Sequence, residues 1–300
     1  MVENITLRNT ATNAVLELDK VATPYYILGS ATWGEVEGTH HSYKYVNQVG
    51  VYVTGTSLGT REVEVTGWVI ADTEAQMTDR KAMLNRFVNP QQMIEMSYSK
   101  YRLKFLPNSS IKYSATVAEN NEVVCKFKIP GMAADPLFRD DHEEKVSAAS
   151  TKALFRFPLI INKTDMKPPR VMFGIREPSL IVNVFNAGAV STGMRIVFRA
   201  LGTLKGPMLI NVETQEQFKL NKTMTAGESV EITTTIGEKK VIGSVNGVES
   251  NYFRYRDLDS TWLQLNVGDN LFRYDTDQGI DNLEVYIYFS NKYLEVQECF

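Results

Sequence analysis

Apolar and polar residues alternate with a period of two in short runs spread along the whole chain. That period fits strands and does not fit helices. Val63, Val65 and Val69 share one parity, with Glu62, Glu64 and Thr66 on the other. Val123, Cys125, Phe127 and Ile129 alternate with Val124, Lys126 and Lys128. The pattern returns at Met194, Ile196, Phe198 and Ala200, at Val230, Ile232, Thr234 and Ile236, and at Leu283, Val285, Ile287 and Phe289. Each run reads as a strand with one buried face, because successive side chains leave a strand on opposite sides. Turn residues punctuate the runs: Asn120-Asn121, Gly202, Gly227-Glu228, Gly237, Asn246-Gly247, Gly268-Asp269-Asn270 and Asp277-Gln278-Gly279.

One segment breaks the period. Thr73-Glu74-Ala75-Gln76 fits a capping box, a hydroxyl at the N-cap with an amide three residues on. Met77, Leu84, Phe87 and Val88 then fall on one helical face, with Met83 beside it, and Asn89-Pro90 ends the helix because proline disfavours helical geometry in the residue before it. The fold class expected is mainly β with this one helix.

At 300 residues the chain has room for two ordinary domains. Its middle changes character. The charged cluster Arg139–Lys145 is followed by a small polar stretch and then by Pro158, Pro168, Pro169 and Pro178. Such a shift marks a domain connection. The expected division is residues 1–140 for an N-terminal, sandwich-like domain with the helix, 141–174 for a connecting segment, and 175–300 for a C-terminal β-sandwich with a turn every 8–12 residues.

Little in the sequence points to chemistry. The net charge of −3 lacks the basic excess of a nucleic-acid coat, so no nucleic-acid specificity is expected. No apolar stretch is long enough for a membrane helix, so no membrane insertion is expected. Met1-Val-Glu-Asn-Ile-Thr6 has no apolar signal region, which places synthesis in a cytoplasm. Two cysteines, Cys125 and Cys299, build neither a disulfide framework nor a four-thiolate zinc site. Cys125 reads as a buried thiol, since free cysteine behaves as a small hydrophobe. Asp275-x-Asp277-x-Gly279-x-Asp281 imitates a calcium loop but has Gly279 at the third ligand position and Tyr286 at the twelfth. A polar hairpin between the Leu271 and Leu283 strands is the plainer reading. His40-His41 would point to opposite faces of a strand and so chelate one ion poorly.

Asp257, Asp259, Glu249 and Arg256 lie among Tyr252, Phe253, Tyr255 and Trp262, a composition shared by glycosidase clefts, sugar platforms and sandwich corners. No spacing singles out an acid–base pair. Phosphate loops, nucleophile elbows and Cys/His pairs are missing from the sequence. The expectation is a non-enzymatic protein with no cofactor and no metal site, of the kind used in structural assembly. The Gly-, Thr- and Tyr-rich segment from Val36 to Thr60 reads as a long hairpin. Tyr43, Tyr45 and Tyr52 on it fit either contact with a neighbouring copy or internal core packing.

The order of motifs resembles the phage distal tail protein family of siphophage tail components. Gly59-Thr-Arg61-Glu-Val-Glu-Val-Thr-Gly67 is followed by a helix ending at Phe87-Val-Asn89-Pro90, by Cys125-Lys-Phe127, and by Asp135-Pro136-Leu-Phe138. Phe155-Arg-Phe-Pro158 and Phe173-Gly174 resemble the family's connecting segment. Asn183-Val-Phe-Asn186-Ala-Gly188, Thr192–Phe198, Gly206–Asn211, Thr225-Ala-Gly227-Glu228 and Leu265-Asn-Val-Gly268-Asp-Asn270 continue the match through the C-terminal half. No long insertion interrupts that half, so no added carbohydrate-binding module is expected.

The resemblance implies a virion protein at the distal tail or baseplate. Its N-terminal domains would close a hexameric ring at the end of the tail tube, and its galectin-like C-terminal domains would project outward as docking scaffolds. The implied partners are other copies of itself, the tail tube protein, the tail-tip or tail-associated hub protein, the tape measure and a receptor-binding protein. Two other readings compete: a host-adhesion module that holds cell-wall carbohydrate, and a tail-associated wall hydrolase, for which no reactive pair is visible.

Overall fold

A computed structural model describes residues 4–19, 25–148, 150–153, 174–177 and 181–296. The Phe155–Pro158 motif, Phe173 and most of the 141–174 connecting segment lie outside the described residues. The described residues fall into two units. One runs to His142 and resumes at Lys292; the other extends from Glu143 to Asn291.

The first unit contains β1 (Asn4–Asn9), β2 (Val15–Asp19), β3 (Tyr26–Trp33), β4 (Gly38–Tyr43), β5 (Tyr52–Leu58) and β6 (Arg61–Ile70). The helix α1 (Glu74–Phe87) follows, and then β7 (Ile94–Tyr98), β8 (Tyr101–Pro107), β9 (Lys112–Tyr113), β10 (Val124–Ala133) and β11 (Phe138–Asp140). The main sheet runs β8-β7-β1-β2-β3-β6-β10, and β10 pairs back onto β8 through Gly131 with Pro107 and Met132 with Leu106. The expected sandwich-like packing is therefore achieved by a sheet closed on itself, which removes the open edges of those seven strands. Leu7, Val65, Ile94, Phe105, Phe127 and Ile129 fill the interior, each on the inward parity of its strand.

The capping box of α1 forms with a shifted second arm. Thr73 Oγ1 accepts from the Gln76 N–H at 3.4 Å, and the Gln76 side chain accepts from the Asp72 N–H at 3.1 Å, one residue before the N-cap. Met77, Leu84 and Phe87 are buried and Met83 is exposed. At the far end the fully buried Asn9 side chain donates to the Phe87 carbonyl at 2.9 Å, capping one of the carbonyls that a helix end leaves unpaired.

The second unit is two facing sheets. One has strands in the order Glu144–Ser147, Leu283–Phe289, Thr192–Ala200, Ser229–Thr233, Lys240–Val245 and Val248–Asn251; the other has Ile181–Asn186, Gly268–Asp275, Met208–Asn211 and Gln217–Lys219. Ile196, Phe198, Ile232 and Ile287 from the first sheet and Val184, Leu209, Phe218 and Phe272 from the second belong to one buried cluster. At about 1.5–3 kcal/mol for each fully buried large apolar side chain, this layer is the main source of the unit's cohesion.

Five expectations change. The 175–300 domain ends at Asn291, because Lys292–Tyr293 pairs with β11 in the first unit. Glu144–Ser147, placed in the connecting segment, is an edge strand of the second unit. Ile236 is 82% exposed, since its strand stops at Thr233 and the chain turns at Gly237 with φ +85°. Val123 is likewise exposed, just ahead of β10. Finally, the Asp275–Asp281 segment is not a hairpin. Gly268–Asp275 and Leu283–Phe289 lie in different sheets, so the segment arches between layers, and Asp277 pairs with Lys219 at 2.7 Å.

Candidate assembly interface

The β4–β5 hairpin is a sheet of its own, paired from Gly38 with Leu58 to Tyr43 with Tyr52. Nearly every residue on it is exposed, on both faces. Tyr43, Tyr45 and Tyr52 do not enter the core, so the core-packing reading of these residues is wrong. They stack on each other near the tip: Tyr43 lies 4.9 Å from Tyr45, edge to face, and 5.3 Å from Tyr52. The Tyr45 hydroxyl donates to Tyr43 Oη at 3.2 Å. Beyond them the turn carries Val46 at 92% and Val49 at 100% exposure, with Val51 and Val53 also exposed on the returning arm. His40 and His41 sit on this exposed strand too. Among the described residues no group of three His, Cys, Asp or Glu is arranged to hold a metal.

The base of the hairpin is tied down. The Gly59 N–H donates to the Glu37 carbonyl at 2.8 Å, and the Gly34 N–H to the Glu62 carbonyl at 2.8 Å. Arg61, fully buried, is the anchor. Its Nε donates to the Pro136 carbonyl at 2.8 Å and its Nη1 to the Gly34 carbonyl at 3.0 Å. Its Nη2 donates to the Leu294 carbonyl and reaches Glu295 at 3.2 Å. The guanidinium also lies 4.9 Å from the Phe138 ring centroid. One side chain thus joins the strand before the hairpin, the Asp135–Phe138 turn and the returning C-terminal segment.

Asp135 completes this corner. Burial resists ionisation of its carboxyl, but a 2.7 Å bond from Arg139, Lys292 at 3.4 Å and the Leu137 N–H at 3.3 Å together hold its pKa below the ordinary value.

Arg61, Asp135, Pro136 and Phe138, far apart in sequence, therefore meet. Asn186, Gly188, Gly268 and Asn270 also meet, in the second unit. Asn186 Nδ2 donates to the Leu265 carbonyl at 3.1 Å and its Oδ1 accepts from the Gly188 N–H at 2.9 Å. Asn270 Nδ2 donates to the Asn266 and Gly268 carbonyls at 2.8 and 3.0 Å. Gly268, at φ +91°, has the left-handed geometry that favours glycine. Gly67 allows β3 and the Phe127 ring to close over β6: a Cβ there would lie 2.5 Å from the ring. Asn89 and Pro90 join neither cluster. Asn89 Oδ1 accepts from the Gln91 N–H at 3.0 Å in the turn that follows α1. These twelve positions hold the scaffold, and the exposed tyrosines and valines are what it presents.

Arg61 shares the parity of Val63 and Val65, a signal in the sequence that it points inward. Val46 and Val49 carried no such signal, being in a turn without periodicity. Neither did Asn9, Leu294 or Glu295.

Two family models match the chain. Residues 31–129 match a phage tail protein RIFT-related domain, and residues 187–293 match a siphovirus-type tail component, C-terminal domain. No curated protein matches. Among solved structures the chain is similar to SPP1 Dit, described as a paradigm of the hub adsorption apparatus in phages infecting Gram-positive bacteria. The identity is 13% and the TM-score 0.65, over 96% of this chain and 98% of that one. It is also similar to a chain of the phage P2 baseplate in its activated conformation with calcium, at 10% identity and TM-score 0.57, over 99% of this chain and 100% of that one. At these identities the structural likeness is one of fold.

Proposed function

The chain belongs to the phage distal tail protein family, a group of structural tail and baseplate components, and from that premise we propose that six copies close a ring at the distal end of the tail. The ring joins the tail tube to the baseplate or tip and to host-recognition proteins, and it performs no catalysis. The hairpin carries this reading. Closure of the first unit's main sheet leaves the β4–β5 hairpin with both outer edges unpaired and with uncovered valines and tyrosines at its tip. A head-to-tail ring needs one patch on each subunit that fits a different patch on the next. An exposed strand edge with apolar side chains is suited to that contact and is a liability anywhere else. The second unit, a galectin-like sandwich in this reading, serves as the docking scaffold outside the ring.

The test is a Val46→Asp, Val49→Asp double variant. Both positions are solvent-exposed within the subunit, so folding should be unaffected. Rings seen by negative-stain microscopy, or tails completed in a complementation assay, should be lost. Rings formed at the wild-type level by the variant, or a virion without this protein at its tail end, would refute the proposal.

A further inference from the structure

The second unit carries a surface separate from the β4–β5 hairpin, on the segment from Phe253 to Trp262. Trp262 is half-buried, its ring 5.3 Å from that of the buried Phe218 and 5.9 Å from that of Phe253. Three cations lie against this aromatic layer. Lys239 Nζ is 5.4 Å from the Trp262 ring centroid, the Arg256 guanidinium is 5.9 Å from both Trp262 and Phe253, and the Arg254 guanidinium is 4.7 Å from Tyr255.

These cations differ from others in the same unit. Arg195, Arg199, Lys219 and Lys222 each have a carboxylate partner. Among the described residues, Lys239, Arg254 and Arg256 have none. The neighbouring Asp257 accepts from Asn221 Nδ2 at 2.6 Å and from the Asp259 N–H at 2.9 Å, and Arg256 acts on it only at longer range than an ion pair. The same segment displays Phe253 at 46% and Leu258 at 90% exposure.

We propose that this surface docks an acidic protein segment that carries an apolar side chain beside its carboxylates. A guanidinium laid on an aromatic face keeps its in-plane donors for a bidentate anion. Arg254 gives one donor to Tyr255 Oη at 2.7 Å and Arg256 one to the Ser260 carbonyl at 2.8 Å, and the rest remain for a ligand. Trp262 is flanked by Lys239, Arg256 and the rings of Phe218 and Phe253, so it offers a sugar little open face. A polyol phosphate would satisfy the charge and leave Leu258 and Phe253 uncovered. A peptide with Glu or Asp flanking Leu satisfies both. The proposal does not depend on ring closure, so its failure and the failure of the hub reading are separate results.

The test uses the full-length protein and a fluorescein-labelled peptide of repeated Glu-Leu-Glu. Fluorescence anisotropy should show binding that weakens as salt is raised, since the charges lie at the surface. The exposed-site variant Lys239→Gln, Arg254→Gln should bind about tenfold or more weakly, a loss of roughly 1.4 kcal/mol. Leu258→Ser should also weaken binding, and a Gln-Leu-Gln peptide should not bind. Circular dichroism of the variants checks that the fold is kept. No binding by the acidic peptide, equal binding by the double variant, or preference for poly(glycerol phosphate) over the peptide would overturn the proposal.

Discussion

Replacing Arg61 with alanine should unfold the corner of the first unit that holds the C-terminal segment. Three carbonyls, those of Gly34, Pro136 and Leu294, receive their side-chain hydrogen bonds from this one guanidinium. The Pro136 carbonyl lies in a buried bond, and a buried polar group that loses its partner costs about 1–3 kcal/mol; the Gly34 and Leu294 bonds are part-buried, so water replaces them at smaller cost. Loss of the Phe138 contact and the cavity left behind add to it. The Glu295 ion pair contributes little, because that side chain is 57% exposed and an exposed pair is worth about 0–1 kcal/mol. Two variants separate these terms. Arg61→Ala should lose about 2 kcal/mol or more, and Glu295→Gln less than ~1 kcal/mol. Arg61→Lys should fall between them, since one ammonium cannot reach three diverging carbonyls. Urea unfolding followed by tryptophan fluorescence is the assay; Trp33 lies 5.4 Å from Phe138 and reports on this corner. A shift in midpoint at constant slope measures the loss. If Arg61→Ala and Glu295→Gln cost the same, the carbonyl account is wrong and the ion pair is what matters.

Further outcomes follow from other sites. Leu84→Asp should cost several kcal/mol, read as a lowered melting temperature, because it places an unpaired charge where Leu84 is now buried; an unchanged melting temperature would refute the packing of α1. Asp135 has a folded pKa below its unfolded value near ~3.9, so its contribution is present above that pH and is lost as pH falls through the folded pKa. Asp135→Asn should therefore remove part of the acid-induced loss seen in urea titrations across that window, and parallel acid limbs for the two proteins would contradict this. Calorimetry with galactose, glucose, N-acetylglucosamine and the host wall polysaccharide should show nothing tighter than ~1 mM, about −4 kcal/mol. A micromolar titration abolished by Trp262→Ala would instead favour the host-adhesion reading.

Much of the local structure was legible in the sequence. The parity of Val63, Val65 and Val69, and of Leu283, Val285, Ile287 and Phe289, fixes which face of each strand is buried. Thr73 fixed where the helix begins, and Cys125 falls inside as its alternation required. These are short-range facts, because the two-residue period is a property of the extended backbone itself. The resemblance to a tail protein family was also readable, through the order of motifs whose residues prove to hold turns and corners. Ile236 marks the limit: its parity is correct, but the strand had already ended, and alternation says nothing of where pairing stops.

What only the tertiary structure decided is which faces receive a second layer. Alternation shows that one side of a strand is apolar; it does not show whether β10 returns to β8, or that Lys292–Tyr293 pairs with β11 in the first unit. Both depend on contacts between residues distant in sequence, which no local pattern encodes. The same reason applies to the hairpin. Tyr43, Tyr45 and Tyr52 have the composition of a core, yet they are exposed among the described residues, and only the closed sheet of the first unit makes that visible. Arg61 is the converse case. Its charge says surface and its parity says interior, and the interior wins because carbonyls from three distant segments converge on it, giving a buried guanidinium the partners it needs.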